Sequence, residues 1–104
     1  MFGVKENCRT LYDGTEIITY TRDVVNASIL EVEAGTTGYR GGDTGHGGRT
    51  YFRIEDAGGT CMKIKPGCGG FEVTLGGDSE LDTMIRALKF IKKVLKDGAR
   101  RRIE

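Results

Sequence analysis

Only one stretch of the chain, residues 79–97, repeats its apolar side chains at helical spacing. Leu81, Met84, Ile85, Leu88, Ile91 and Leu95 fall on one stripe there, with Phe90 and Val94 beside it. Ser79 and Asp82 fit a capping box at its start, and Gly98 fits a stop at its end, followed by a basic tail over 98–104. Much of what comes before the helix alternates with period two, the mark of half-buried strands. Residues 27–34 place Leu30, Val32 and Ala34 on one face and Ile29, Glu31 and Glu33 on the other. Residues 49–55 place Thr50, Phe52 and Ile54 against Arg49, Tyr51, Arg53 and Glu55. The β-branched run EIITYTR (16–22) and the short runs CMKIK (61–65) and FEVTL (71–75) complete the strand set, with Met62, Ile64, Phe71, Val73 and Leu75 inward. Residues 1–15 fit either a short edge strand or a loop. Turn dipeptides and glycine clusters at 13–14, 56–59 and 66–70 join these pieces by short connections, which favour antiparallel pairing. The pattern predicts one α+β domain over residues 1–104. It is an antiparallel sheet of four to six strands with one C-terminal amphipathic helix packed on one face.

Residues 35–48, GTTGYRGGDTGHGG, break the alternation. Half of them are glycine, and the chain's one histidine, His46, lies among them. No packed strand or helix favours that composition, because glycine loses the most backbone freedom on folding. We read the stretch as a long loop between two strands. Glycine backbones can approach a ligand closely, and successive N–H groups form an anion-binding concavity. Thr36, Thr37, Thr44 and Thr50 add hydroxyls, Arg40 and Arg49 add positive charge, and Tyr39 and Tyr51 can stack on a base. The candidate ligand-binding set is therefore Tyr39, Arg40, Gly41, Gly42, Asp43, Thr44, His46, Gly47, Gly48, Arg49 and Tyr51, with Gly45 among the cradling amides. A small anionic ligand of nucleotide type fits this set. The competing reading is a plain connection, a packed surface loop with no ligand. The phosphate-binding GxxxxGK[ST] pattern is absent, and no GxGxxG run leads from a strand into a helix.

Other chemistries rank lower. Asp43, His46 and Arg49 resemble the parts of an acid–base couple for a phosphodiester, but no second histidine supplies the opposite partner. An enzyme using His46 is thus the last of the readings, and no catalytic residue is assigned. Asp43, His46 and Asp56 do not have metal-ligand spacing, and no cofactor is indicated. The three cysteines are odd in number and scattered, which argues against a disulfide framework and for a reducing, cytoplasmic setting. Sixteen basic and 15 acidic residues give a net charge of +1. Nothing in that balance argues for nucleic acid, which ranks below the small ligand although residues 86–102 are locally basic, and no apolar run has the length of a membrane span. The charged residues Glu31, Glu33, Arg49, Arg53, Glu55, Lys63, Lys65 and Glu72 read as a solvated sheet face with cross-strand pairs. Hydrophobic content is 38%, so the core is small, and open sheet edges then favour a homo-oligomer.

Over residues 29–60, ILEVEAGTTGYRGGDTGHGGRTYFRIEDAGGT, and 70–91, GFEVTLGGDSELDTMIRALKFI, the chain resembles short proteins of unassigned function encoded by phages and prophages of Gram-positive bacteria. The resemblance covers about half the chain. It implies an anti-defence setting, in which small phage proteins act as sponges for cyclic nucleotide or cyclic ADP-ribose signals, or as anti-CRISPR inhibitors of a host effector. It carries no residue roles. The expected partner is accordingly a small anionic ligand, with a host defence protein as the alternative.

Overall fold

The structure, a computed structural model, describes residues 3–26, 28–42, 46–58 and 62–101. Its strands are β1 (Val4–Thr10), β2 (Glu16–Val25), β3 (Ile29–Thr36), β4 (Thr50–Gly58), β5 (Met62–Gly67) and β6 (Gly70–Leu75), and they precede one helix, α1 (Asp78–Arg101). The first four form a meander in the order β1-β2-β3-β4, every pair antiparallel. β5 and β6 form a separate two-stranded sheet. The protein is an α+β fold with its helix on one face of the main sheet. Residues 4–10, undecided in the sequence, form an edge strand that runs from Val4 opposite Arg22 to Thr10 opposite Glu16.

β3 is buried on both faces. Leu30, Val32 and Ala34 point toward α1, and they pack with Val24, Ala87, Phe90 and Ile91 as the core. Ile54 and Phe52, paired with Val32 and Ala34, share that face. The helix lies along β3 in the same direction and is fastened at both ends. At the start, Ser28 Oγ and Thr83 Oγ1 are 3.0 Å apart, Thr83 Oγ1 donates to the Ser79 carbonyl at 2.8 Å, and Asn26 Nδ2 donates to Asp82 Oδ2 at 3.0 Å. At the far end, Gly98 rests on Thr36. The lengths agree: Ser28 to Thr36 spans about 27 Å of strand, and Ser79 to Gly98 spans about 28 Å of helix.

Gly98 therefore does not stop the helix, which continues to Arg101. Its role is close approach. A Cβ there would stand 2.5 Å from the Thr36 methyl. The buried face of α1 also differs from the expected stripe. It is centred on Thr83, Ala87, Phe90, Ile91 and Val94, while Leu81, Ile85 and Leu88 are exposed. The helix carries two overlapping apolar stripes. The one with the small residues Thr83, Ala87 and Gly98 faces the sheet, because small side chains let the helix axis come close to β3. The cap lies upstream of the expected box as well. Leu81 N donates to the Gly77 carbonyl at 3.1 Å, and the Glu80 carboxylate lies against Gly77, so Gly77 and Glu80 occupy the capping positions. Finally, β5 and β6 do not join the main sheet, and Ile64, Phe71 and Val73 are exposed instead of inward.

Replacing a glycine inside an open helix by alanine normally stabilises by ~1 kcal/mol. Here Gly98→Ala should destabilise by about 1–2 kcal/mol, since Thr36 is held in place and cannot turn its methyl away. Urea unfolding of Gly98→Ala and of Gly98→Ala with Thr36→Ser checks this. The serine, which lacks the methyl, should recover most of the loss.

Candidate functional site

The glycine-rich stretch is rooted by threonine hydroxyls. Thr37 N donates to the Arg49 carbonyl at 3.0 Å, and Arg49 N donates to Thr37 Oγ1 at 2.9 Å. Thr36 Oγ1 accepts from Gly38 N at 3.1 Å, donates to the Arg49 carbonyl at 3.2 Å, and lies 3.0 Å from Thr50 Oγ1. Above this root the two limbs touch backbone to backbone. A Cβ on Gly48 would collide with the Gly38 carbonyl, and one on Gly47 would stand 2.6 Å from the Gly42 carbonyl. Gly47 also has a φ of 86°, which L side chains rarely adopt. These glycines let the limbs close on each other, so they have a structural reason independent of any ligand.

Arg49 straps the root to the neighbouring β1–β2 turn. Its Nε donates to Asp13 Oδ2 at 2.6 Å, and its Nη1 donates to the Gly47 and Gly48 carbonyls at 3.3 Å each. Asp13 is itself set by the turn, accepting from Thr15 N at 3.1 Å. The Arg49 guanidinium, helped by Thr15, holds the Asp13 carboxyl down at about 2. In return Asp13 raises Arg49 above the ordinary arginine value.

Between the loop and the last turns of α1 lies a cavity of about 560 Å³. Its walls are Thr36, Gly38, Tyr39, Arg40, Gly41, Gly42, Gly48 and Thr50, and Leu95 and Ala99 of α1 complete it. Tyr39 and Arg40 are exposed at its rim, and Arg40 Nε donates to the Thr37 carbonyl at 3.3 Å. The cavity thus combines loop backbone, threonine hydroxyls, one guanidinium, one phenol and an apolar patch. It can accept a body with a flat apolar part and a polar or anionic part.

Of the residues expected to form the site, Tyr39, Arg40, Gly41, Gly42 and Gly48 come together here. Gly47 packs on Gly42, and His46 is exposed on the loop. Arg49 is engaged with Asp13, and Tyr51 lies on the opposite face of the sheet with the Arg9 guanidinium 4.8 Å from its ring centre. Asp43 and Thr44, with Gly45, lie outside the described residues. The sequence reading had no reason to include Leu95 and Ala99, because only the meeting of α1 with the loop makes them part of the cavity.

The outer sheet face holds a second cluster. Glu33 is 1% exposed, in what the sequence presents as a solvated face. Its carboxylate accepts from Arg9 Nε and Nη2 at 2.9 and 2.7 Å, from Thr19 Oγ1 at 2.5 Å and from Arg53 Nε at 3.1 Å. Arg53 reaches Glu31 and Glu55 as well, at 2.8 and 2.7 Å. Burial pushes the Glu33 carboxyl up, but the hydrogen bonds from Arg9, Thr19 and Arg53 outweigh it and hold it at about 2. These donors satisfy the charge, so the cluster ties all four strands of the main sheet together.

Comparison with protein-family models, with curated proteins and with solved structures finds no match for this chain. No described helix is long and apolar enough to cross a membrane.

Glu33 makes stability depend on pH. A carboxyl held at about 2 in the folded chain against an ordinary value of 4.5 stabilises the fold above pH 4.5. That contribution is lost as the pH falls from 4.5 through 2. Glu33→Gln should cost about 3 kcal/mol at neutral pH, because two arginines lose their shared charge. Denaturant titrations should show the gap between the two proteins narrowing over that acid range.

Proposed function

We propose that this is a non-enzymatic binding protein that takes a small anionic ligand of nucleotide type into the cavity between the glycine-rich loop and α1. The observation that carries this reading is the convergence of loop backbone, Tyr39 and Arg40 on one side with Leu95 and Ala99 on the other. A volume of about 560 Å³ falls within the range of small-molecule sites. In this reading Arg40 and the backbone of Gly41 and Gly42 meet the phosphate, the hydroxyls of Thr36 and Thr50 meet the sugar, and Tyr39 or the Leu95–Ala99 patch covers the base. Arg49 serves by holding the loop in shape, not by touching the ligand. In the phage setting that the resemblance implies, such a protein would sequester a defence signal in the host cytoplasm.

A second reading is a docking protein that inhibits a host defence effector. The exposed apolar residues of β5 and β6 favour it, because a surface of that kind suits a protein partner.

Native mass spectrometry of protein purified from cells with active defence systems tests the first reading. A retained mass of nucleotide size is expected, and Arg40→Ala should lose it while keeping the wild-type helix content. Titration against a panel of linear and cyclic nucleoside phosphates should show affinity falling roughly tenfold or more in Arg40→Ala, the loss of one charge-assisted contact. A protein that retains nothing and answers to no member of the panel would exclude this reading.

A further inference from the structure

The β5–β6 hairpin is built like half of an interface. Its register pairs Met62 with Leu75, Ile64 with Val73 and Pro66 with Phe71. Paired residues in an antiparallel ribbon point the same way, so these six apolar side chains share one face. Lys63, Lys65, Glu72 and Thr74 take the other. Ile64 is 52% exposed, Phe71 61% and Val73 39%. A two-stranded hairpin is marginal in water unless its apolar face packs on something. This one packs mainly on itself, with only Met62 reaching the core. Both of its joints to the body carry a glycine pair, Gly58-Gly59 and Gly76-Gly77.

The body carries a complementary surface. Leu81, Leu88 and Leu95 recur every seventh residue along one flank of α1, and Leu95 lies beside Thr50 of β4. Leu81 and Leu88 are 59% and 53% exposed, and Ile85 stands beside them at 43%. The opposite flank, over β2, is charged, with Arg86, Lys89 and Lys93 beside Arg22. Across from the apolar flank, β4 turns Phe52 and Ile54 to the same side, and β4 ends the sheet. The result is an apolar trough with an open strand edge.

Size bears on what fills it. A compact chain of 11.4 kDa exposes about 5,800 Å² and has a radius of gyration of about 13 Å. This chain exposes 7240 Å², has a radius of gyration of 14.8 Å and is only 19 Å thick along its shortest axis. The excess, about 1,400 Å² per chain, matches what each partner buries in an obligate homodimer. The arm and the trough are also always present in equal number, because one chain supplies both.

We propose that two copies of this chain pair by exchanging arms: the β5–β6 hairpin of each lies with its apolar face in the trough between α1 and β4 of the other. The contact is made twice about a two-fold axis, so it closes and does not propagate. It does not involve Arg40 and meets the loop cavity only at Leu95, so tests at Phe71 and Leu88 stand or fall separately from the ligand reading.

Sedimentation equilibrium of the full chain, from low to high micromolar concentration, should give about twice 11.4 kDa. A single species of 11.4 kDa throughout would overturn the proposal. Phe71→Asp on the arm and Leu88→Asp in the trough change exposed positions, so each should keep its helix content by circular dichroism. Each should raise the dimer dissociation constant roughly tenfold or more, as loss of an apolar anchor does. Mixing the two variants is the sharper test. The mixed pair retains one intact arm in one intact trough, so heterodimer should form where neither variant alone dimerises. A dimer that survives both substitutions, or a mixture that stays monomeric, would show that the arm does not enter the trough. A wild-type monomer that instead pairs with a host protein through Phe71 would assign the arm to docking.

Discussion

The close approach of α1 to β3 is the contact on which the rest of the structure depends. It sets the distance at which Leu30, Val32 and Ala34 meet Ala87, Phe90 and Ile91. Small residues make it possible, since Thr83, Ala87 and Gly98 keep the helix near the strand along its whole length. The same approach brings Leu95 and Ala99 up to the glycine-rich loop and so makes the cavity. It also leaves Leu81, Ile85 and Leu88 uncovered. A helix fastened at both ends by side-chain contacts has little freedom to roll, so the covered and uncovered faces are fixed together.

Much of the architecture was legible in the sequence because it rests on local rules. Alternation in residues 29–34 and 50–55 assigned the correct faces to β3 and β4, since side chains in a strand have no choice but to alternate. The helix was visible from its period, but not its rotation. Two apolar stripes overlap in residues 81–95, and the choice between them depends on how small the residues facing β3 are. Gly98 misled for a related reason. Glycine ends helices by its φ freedom, whereas here it is used for its missing side chain. The hairpin strands were recognised, but alternation within a strand does not tell which sheet the strand joins.

The candidate site was half legible. Composition pointed to residues 35–48, and Tyr39, Arg40, Gly41, Gly42 and Gly48 do line one cavity. Arg49 and Tyr51 were included for their charge and ring, but they do not reach the cavity. Both flank Thr50, which lines the cavity, and alternation sends them to the other face, toward Asp13 and Arg9. The Glu33 cluster was hidden because its parts come from β1, β2, β3 and β4. A glutamate in an alternating strand reads as solvent-facing until Arg9 and Arg53 are seen to close over it.

The order of elements along the chain bears on how the protein is made. The meander β1 to β4 pairs neighbours in sequence, so it can assemble as each strand leaves the ribosome. The helix that covers it comes last, after the hairpin. Until α1 emerges, a finished four-stranded sheet carries Leu30, Val32 and Ala34 on a bare face. The finished meander with α1 not yet docked is therefore the chain in its most adhesive form.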